Sequence, residues 1–320
     1  MLITLSYSWE VLFIIGVYLY EIFPKIVNKL VKSQKSKAKS QTQNQKMNCR
    51  GKLIDLSTPK VMGILNITPD SFYDGGKNDS DQVIIDKVQK MLSDGATFID
   101  IGAYSSKPNA VFVSEEEELR RIIPIIEMLV RIFPEILISV DTFRSEVAKA
   151  SIEAGAAIIN DISAGNLDHK MLETVAKYNV PYIMMHMKGD PKTMQTLTNY
   201  EDIIKEILFY FSEKVSEARS LGINDIIIDP GFGFAKTLEQ NFEVMNKLEL
   251  LQMLDLPLLS GISRKSMIYK TLGTTPQESL NGTTFLNTIS LMKGAKILRV
   301  HDVKEAVECV KLYLALGINL

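Results

Sequence analysis

From Lys52 onward, short runs rich in β-branched residues alternate with longer helical patterns, and the alternation does not break. The runs that read as strands cover 61–65, 97–101, 136–140, 157–159, 181–185, 225–228, 256–259 and 295–298. Helical patterns follow at 82–93, 114–132, 145–153, 168–178, 201–220 and 238–251, then over a stretch broken at 273–276, and last at 303–316. Ser114 ahead of Glu115, Glu116 and Glu117 has the form of a helix start, a capping hydroxyl with acids in the first turn. Eight strand–helix units in about 260 residues match the number and size of a (β/α)8 TIM barrel of the α/β class. A doubly wound open sheet is the alternative, but it seldom uses eight evenly spaced units.

The strand endings weigh more than the count. They fall on Asn66, Asp100, Asp141, Asn160, Asp229, Ser260 and Arg299, with His186 just past the fifth strand. Any one of these could cap a helix. In a barrel all parallel strands end at one face, so polar groups far apart in sequence become neighbours there. The stretch VMGILNITPDSFYDGG, Val61 to Gly76, is the first instance. Its buried strand stops on Asn66 and enters a loop of hydroxyls, a carboxylate and two glycines, and Asn66 can offer its carbonyl or amide to a metal or a phosphate.

Bulk properties exclude some partners. The chain of 320 residues is 46% apolar, enough for a substantial core. Its 36 basic and 38 acidic residues nearly balance, which argues against nucleic acid as a partner. Cys49 and Cys309 give neither a zinc spacing nor a disulfide framework and fit a reducing, cytoplasmic setting; one is expected at the surface and one in the core.

Residues 1–46 differ from the domain at 47–320 and form an apolar and basic N-terminal extension. Leu2 to Tyr20 is almost wholly apolar, and Lys25, Lys29, Lys32, Lys35, Lys37 and Lys39 follow with no acid among them. The apolar length is close to the about 20 residues that span a bilayer, so 2–24 is a candidate membrane contact with its lysines in the cytoplasm. A cleaved signal peptide fits worse, because its charges should come first. An amphipathic surface helix and a true start at Met47 are the competing expectations, and 41–46 reads as a disordered linker.

The constellation suggests a ligand. Asp141, Asn160 and Asp229 bring two carboxylates and an amide to the expected mouth, with no nearby Cys or His to complete a metal cage. A carboxylate accepts two parallel N–H bonds and an amide adds a donor and an acceptor, which suits a 2-amino-4-oxopyrimidine ring. Two carboxylates could instead hydrolyse a glycoside, but the chain has one Trp and few aromatics near the strand ends to lie against a sugar. The segment Gly231-Phe232-Gly233-Phe234-Ala235-Lys236 lacks both the ending of a phosphate loop and dinucleotide spacing. It suggests a close backbone approach, with Phe234 as a wall for a planar ligand. Ser263-Arg264-Lys265 puts a mobile cation at the same face. Arg299 and His301, two apart, share a face and can aim at one anion; with Asn66 on the neighbouring first strand they form a candidate diphosphate site with Mg2+. His169, in a predicted helix, is expected to be structural, and His186 is undecided between core and site.

Taken together, these segments resemble dihydropteroate synthase, a family of folate-pathway enzymes. The likeness covers about 60–311 through MGILNITPDSFYDGG, SVDTFR, GAAIINDISAG, MMHMKGDPKTMQ, IIIDPGFGFAKTLEQN, GISRKSM and GAKILRVHDV, in the family's order. It implies a transferase that joins 6-hydroxymethyl-7,8-dihydropterin diphosphate to 4-aminobenzoate and releases diphosphate. It puts the family's pterin-binding positions on Asp141, Asn160, Met185, Asp229 and Lys265. Diphosphate and Mg2+ positions fall on Asn66, Arg299 and His301, with Asn66 the metal contact. Aminobenzoate contacts fall on the second loop with Phe234, Lys265 and Ser263, which leaves Asp141, Lys265, Arg299 and His301 as the candidate catalytic residues. A homodimer is also implied. The aniline nitrogen attacks as a neutral nucleophile, so no strong general base and no triad is expected.

One segment departs from the family. Where its second loop usually reads GGESTRPG, this chain has Gly102-Ala103-Tyr104-Ser105-Ser106-Lys107-Pro108-Asn109. Ser106 keeps a hydroxyl, Lys107 keeps a charge but not the planar fork of Arg, and Asn109 enters a left-handed turn less freely than Gly. Altered affinity for aminobenzoate, and for the sulfonamides that mimic it, is the expectation. Two rivals stand beside the synthase: a methyltransferase using a methylated pterin cofactor, and a non-catalytic pterin-binding homologue.

Overall fold

A β-hairpin that the strand pattern did not anticipate comes first: β1 (Lys46–Cys49) pairs antiparallel with β2 (Lys52–Asp55). Lys46, expected to close a disordered linker, therefore opens a strand. The computed structural model describes residues 46–67, 77–104 and 113–317. It divides the chain into units at 1–45 and 46–320; the candidate membrane contact and most of the linker lie outside the described residues. Among the described residues no helix is long and apolar enough to cross a membrane.

After the hairpin, each expected unit forms. The barrel strands are β3 (Lys60–Asn66), β4 (Phe98–Gly102), β5 (Ile138–Asp141), β6 (Ile158–Asp161), β7 (Tyr182–Met185), β8 (Ile226–Asp229), β9 (Leu258–Ser260) and β10 (Ala295–Val300). All pair in parallel and close in the order β10-β3-β4-β5-β6-β7-β8-β9. Between and after them run α1 (Lys77–Ser93), α2 (Glu115–Ile132), α3 (Ser145–Glu153), α4 (Met171–Tyr178), α5 (Ile203–Ser220), α6 (Leu238–Asn246), α7 (Ser266–Leu272), α8 (Leu280–Met292) and α9 (Val303–Ala315). This is the (β/α)8 barrel, in which parallel strands buried on both faces are shielded by an outer ring of helices.

Local chemistry sets the helix ends. Ser114 accepts a hydrogen bond from the Glu117 amide at the start of α2, as its position predicts. Thr237 and Gln240 form a reciprocal capping box on α6. The helix expected over 238–251 breaks after Asn246 into a 3-10 segment, Leu248–Leu254. The expected break near 273 is real: α7 stops on Gly273, whose φ of +63° a side-chain-bearing residue adopts less readily. His169 lies in an exposed turn ahead of α4 rather than inside a helix.

Alternate residues of each strand face outward or inward. Outward residues such as Ile99, Ile159 and Ile228 join the helices in the main core. Inward residues Met62, Phe98, Leu137, Ile158, Ile183, Ile227, Leu259 and Ile297 fill the floor, together with Met47, Cys49, Ile54 and Leu56 from the hairpin and the residue after it. The Asn48 amide donates to Asp225 Oδ2 at 2.9 Å and ties this plug to the barrel. Cys49 is buried in this floor and Cys309 in the main core, which corrects the expectation of one surface thiol. Burial in the floor pushes the Cys49 thiol up to about 12. Two residues further along the same inward rows lie Asp100, Ser139, Asn160, Met185, Asp229 and Arg299, all in strands. The floor becomes the site in a single step of the pleat.

Candidate active site

The strand ends converge, and they do so through Arg299. From β10 its Nε donates to Asp100 Oδ2 at 2.5 Å and its Nη2 donates to Asp141 Oδ2 at 2.7 Å, across 199 and 158 sequence positions. Asp100 is fully buried. It also accepts from Asn160 Nδ2 at 3.2 Å and from Ser139 Oγ at 2.6 Å. Burial pushes the Asp141 carboxyl up to about 7 against the pull of Arg299. For Arg299 burial works against the charge, yet Asp100 and Asp141 outweigh it and hold the guanidinium above its ordinary value. Asp141, Asn160 and Arg299 are thus brought together as expected. In the sequence Asp100 reads only as a strand ending, a carboxylate flanked by isoleucines in the run FIDIG.

A second group forms around β8. Asp229 Oδ1 accepts from the Gly231 amide at 2.7 Å. Gly231 has φ +69°, and a Cβ there would stand 2.2 Å from the His186 carbonyl oxygen, so only glycine allows this turn. Lys265 donates to the Phe232 carbonyl and lies 4.7 Å from the centroid of the Phe234 ring. Burial lowers its ammonium to about 8, with Asp229 opposing. Burial likewise raises the Asp229 carboxyl above its ordinary value, with Lys265 opposing. The two groups meet at Gly261: a Cβ there would be 3.6 Å from Asp229 Oδ2 and 4.0 Å from Arg299 Cβ. Beside them Met185, Ile162, Met187, Met194 and Ala235 form a separate apolar cluster, against which Phe143 and Phe234 pack. An apolar cluster next to buried carboxylates suits a planar ring with N–H groups on one edge.

The expected mobile cation is corrected. Arg264 forks onto Asp302 at 2.9 and 2.6 Å, and Lys265 is held by the Phe232 carbonyl. Arg299 and His301 share no common partner among the described residues: the His301 Nδ1 lies 3.0 Å from Ser263 Oγ, which also accepts from the His301 amide at 3.2 Å. Desolvation, and after it the charges of Arg299 and Arg264, push the His301 imidazole below its ordinary value. His186 resolves as a core residue. It is buried, edge-on to Tyr210 at 4.9 Å, and 3.0 Å from Lys236 Nζ. Lys236 also donates to the Gly231 and Phe234 carbonyls at 3.0 Å, so the rejected phosphate loop proves to be a loop folded around its own lysine.

Asn66 closes β3 and is exposed. Its Oδ1 would be 3.9 Å from a Cβ at Gly102, the last residue of β4. Among the described residues no three His, Cys, Asp or Glu side chains group as metal ligands. Mg2+ bound through substrate phosphates needs only one or two protein oxygens, and a neutral amide carbonyl is a hard donor of that kind. The residues present fit such an ion and no dedicated cage. Ser106 and Lys107, like Asn109, lie outside the described residues. Tyr104 just before them stands edge-on to Phe143, centroids 5.3 Å apart.

Residues 62–301 match the family described as pterin binding enzyme. The dihydropteroate synthase of Escherichia coli K12 is 45% identical over 272 residues, 83% of this chain and 95% of that one. A crystal structure of Yersinia pestis dihydropteroate synthase in complex with a sulfonamide drug superposes with a TM-score of 0.80 at 43% identity, covering 85% of this chain and 99% of that one. The Xanthomonas albilineans enzyme in complex with 7,8-dihydropteroate gives 0.77 at 35% identity, with the same coverage of 85% and 99%.

Proposed function

Because the chain belongs to the pterin-binding enzymes, and among them to the dihydropteroate synthases, we propose that its strand ends divide one condensation among three groups of side chains. The reaction joins 6-hydroxymethyl-7,8-dihydropterin diphosphate to 4-aminobenzoate, giving 7,8-dihydropteroate and diphosphate. The convergence of Asp141, Asn160, Asp229 and Arg299 at one barrel end carries the assignment.

Asp141, Asn160 and Asp229 take the polar edge of the pterin, and Met185 supports its face. Lys265 donates from the β9 side, between pterin and aminobenzoate. Arg299, with His301 two residues further on, receives the diphosphate. As the methylene C–O bond lengthens, its electron pair moves onto the diphosphate, and Arg299 stabilises the growing charge. The neutral aniline nitrogen forms the new C–N bond and then loses a proton to water. His301 can donate an N–H to a phosphate oxygen, and Arg299 supplies a fixed positive charge there. Asn66 would hold Mg2+, which when bound supplies further neutralisation of the leaving group. Phe234 and Ser263, with Ser106 and Lys107 of the second loop, hold the aminobenzoate. Orientation and charge supply the catalysis, and no general base is needed.

The setting of this reaction is proposed as cytoplasmic, in line with two reduced, buried cysteines. A homodimer is proposed as well, supported by exposed Leu272, Phe285 and Leu312 on α7, α8 and α9, and sedimentation of the full chain tests it. The function is tested by incubating the full chain with both substrates and Mg2+. Equal yields of diphosphate and 7,8-dihydropteroate are expected. Pterin binding without turnover at millimolar aminobenzoate would point instead to a non-catalytic homologue.

A further inference from the structure

Asp100 lies beneath the site rather than in it. It has no exposed surface, and its two oxygens accept from Ser139, Asn160 and Arg299. It therefore touches one residue assigned to the pterin and the one assigned to the leaving group. The bond from Arg299 Nε, at 2.5 Å, joins a guanidinium to a carboxylate, the strongest class of hydrogen bond available to side chains. The second donor of the same planar fork, Nη2, rests 2.7 Å from Asp141 Oδ2. These two contacts differ in one respect that matters. Asp141 keeps about a fifth of its side-chain surface open, 21%, whereas Asp100 keeps 0%. An incoming ligand edge can compete for Asp141 but cannot reach Asp100.

On the functional reading above, the pterin's N–H edge binds Asp141 and so displaces Nη2. Nε stays on Asp100, whose side chain has no surface open to a competing ligand. The guanidinium is rigid and planar, so with Nε fixed the freed nitrogen has few directions open to it. We propose that Asp100 is a positioning residue that holds Arg299 as a pivot, so that the arrival of the pterin at Asp141 turns the free end of Arg299 over to the diphosphate. The two halves of one substrate are thereby coupled: the ring must dock before the leaving group finds its cation. This rests on the assignment of Asp141 to pterin and of Arg299 to diphosphate.

The coupling is read from two probes bound to the full chain, 6-hydroxymethyl-7,8-dihydropterin and its diphosphate ester. The ratio of their affinities isolates the diphosphate contact from the ring contact. Asp100→Asn should lower that ratio about tenfold or more, while affinity for the alcohol changes no more than about threefold through Asn160. Ser139→Ala loosens Asp100 without touching Arg299 and should lower the ratio in the same direction by about threefold. In an Arg299→Ala background, Asp100→Asn should leave the ratio where Arg299→Ala put it, since it has nothing left to position. Equal weakening of both probes, or an unchanged ratio in folded Asp100→Asn, would overturn the proposal. If that variant does not fold, an unchanged ratio in Ser139→Ala overturns it. A wild-type protein with no preference for the diphosphate would remove the functional reading itself, and that measurement comes first.

Discussion

The floor and the mouth of this barrel are made by the same strands two residues apart, yet different physics holds them. Phe98, Leu137, Ile158 and Ile297 in the floor are apolar and almost fully buried. One pleat further on, Asp100, Ser139, Asn160 and Arg299 are joined by bonds of 2.5 to 3.2 Å. The floor is held by volume, so any change of shape there acts on folding. The mouth is held by hydrogen bonds among charged groups in a dry setting, with Arg299 on Asp100 and Asp141. Stability and activity should therefore separate along the strand axis, and substitutions can test how cleanly.

The largest effect is expected at the mouth. Arg299→Ala should lower turnover about a thousandfold, the scale of losing a principal contact to a developing negative charge, or about 4 kcal/mol. Single-turnover formation of 7,8-dihydropteroate checks it, and a loss smaller than tenfold would remove Arg299 from the leaving-group site. The same change should spare a methyl transfer that expels no diphosphate, which separates the synthase from its methyltransferase rival.

Next comes the floor. Phe98→Ala should lower unfolding free energy by about 3–4 kcal/mol, measured by urea denaturation, because its side chain is fully buried and leaves a cavity. Where the variant stays folded, turnover should be near that of the wild type. A parallel collapse of turnover in fully folded protein would mean that floor and mouth are not separable.

Asp229→Asn should weaken a pterin analogue by about 2–3 kcal/mol, the scale of a charge-assisted bond in a buried site. Calorimetry showing less than about half a kcal/mol would remove Asp229 from the pterin edge. Unlike Phe98→Ala, this variant should unfold no more easily. Burial already raises the Asp229 carboxyl, so the fold tolerates its charge rather than gaining from it.

The smallest effect is one of pH. Lys265 is lowered to about 8, so its ammonium is present below that value and lost as pH rises through it. KM for aminobenzoate should rise with pH above about 8, by up to about tenfold per unit while the charge is being lost. Lys265→Met should have a raised KM that is flat over the same range. A wild-type KM that stays flat to pH 10 would show that the charge of Lys265 does not hold the ligand.

The mouth was more legible in the sequence than the floor, because polar residues at strand ends break an apolar period and stand out. Asn160 and Asp229 could be placed by that break alone. Asp100 could be seen but not understood, since a strand-end carboxylate reads alike whether it faces a ligand or a buried arginine 199 positions away. The plug at 46–55 escaped notice because two four-residue strands carry too little pattern to separate from a linker. His186 and Lys236 could not be judged as single letters. Their 3.0 Å contact is made between the ends of two different strand–helix units.

Local order along the chain was enough to decide that eight units form, where each begins and ends to within a few residues, and which side chains stand at the strand ends; these depend on residue period and capping, which act over a few positions. The tertiary structure alone decided which of those ends touch: that Arg299 bridges Asp100 and Asp141, that Arg264 is drawn off to Asp302, and that both cysteines are buried. Closing the barrel staggers each strand against the next, and that stagger is a property of the whole sheet that no single segment carries.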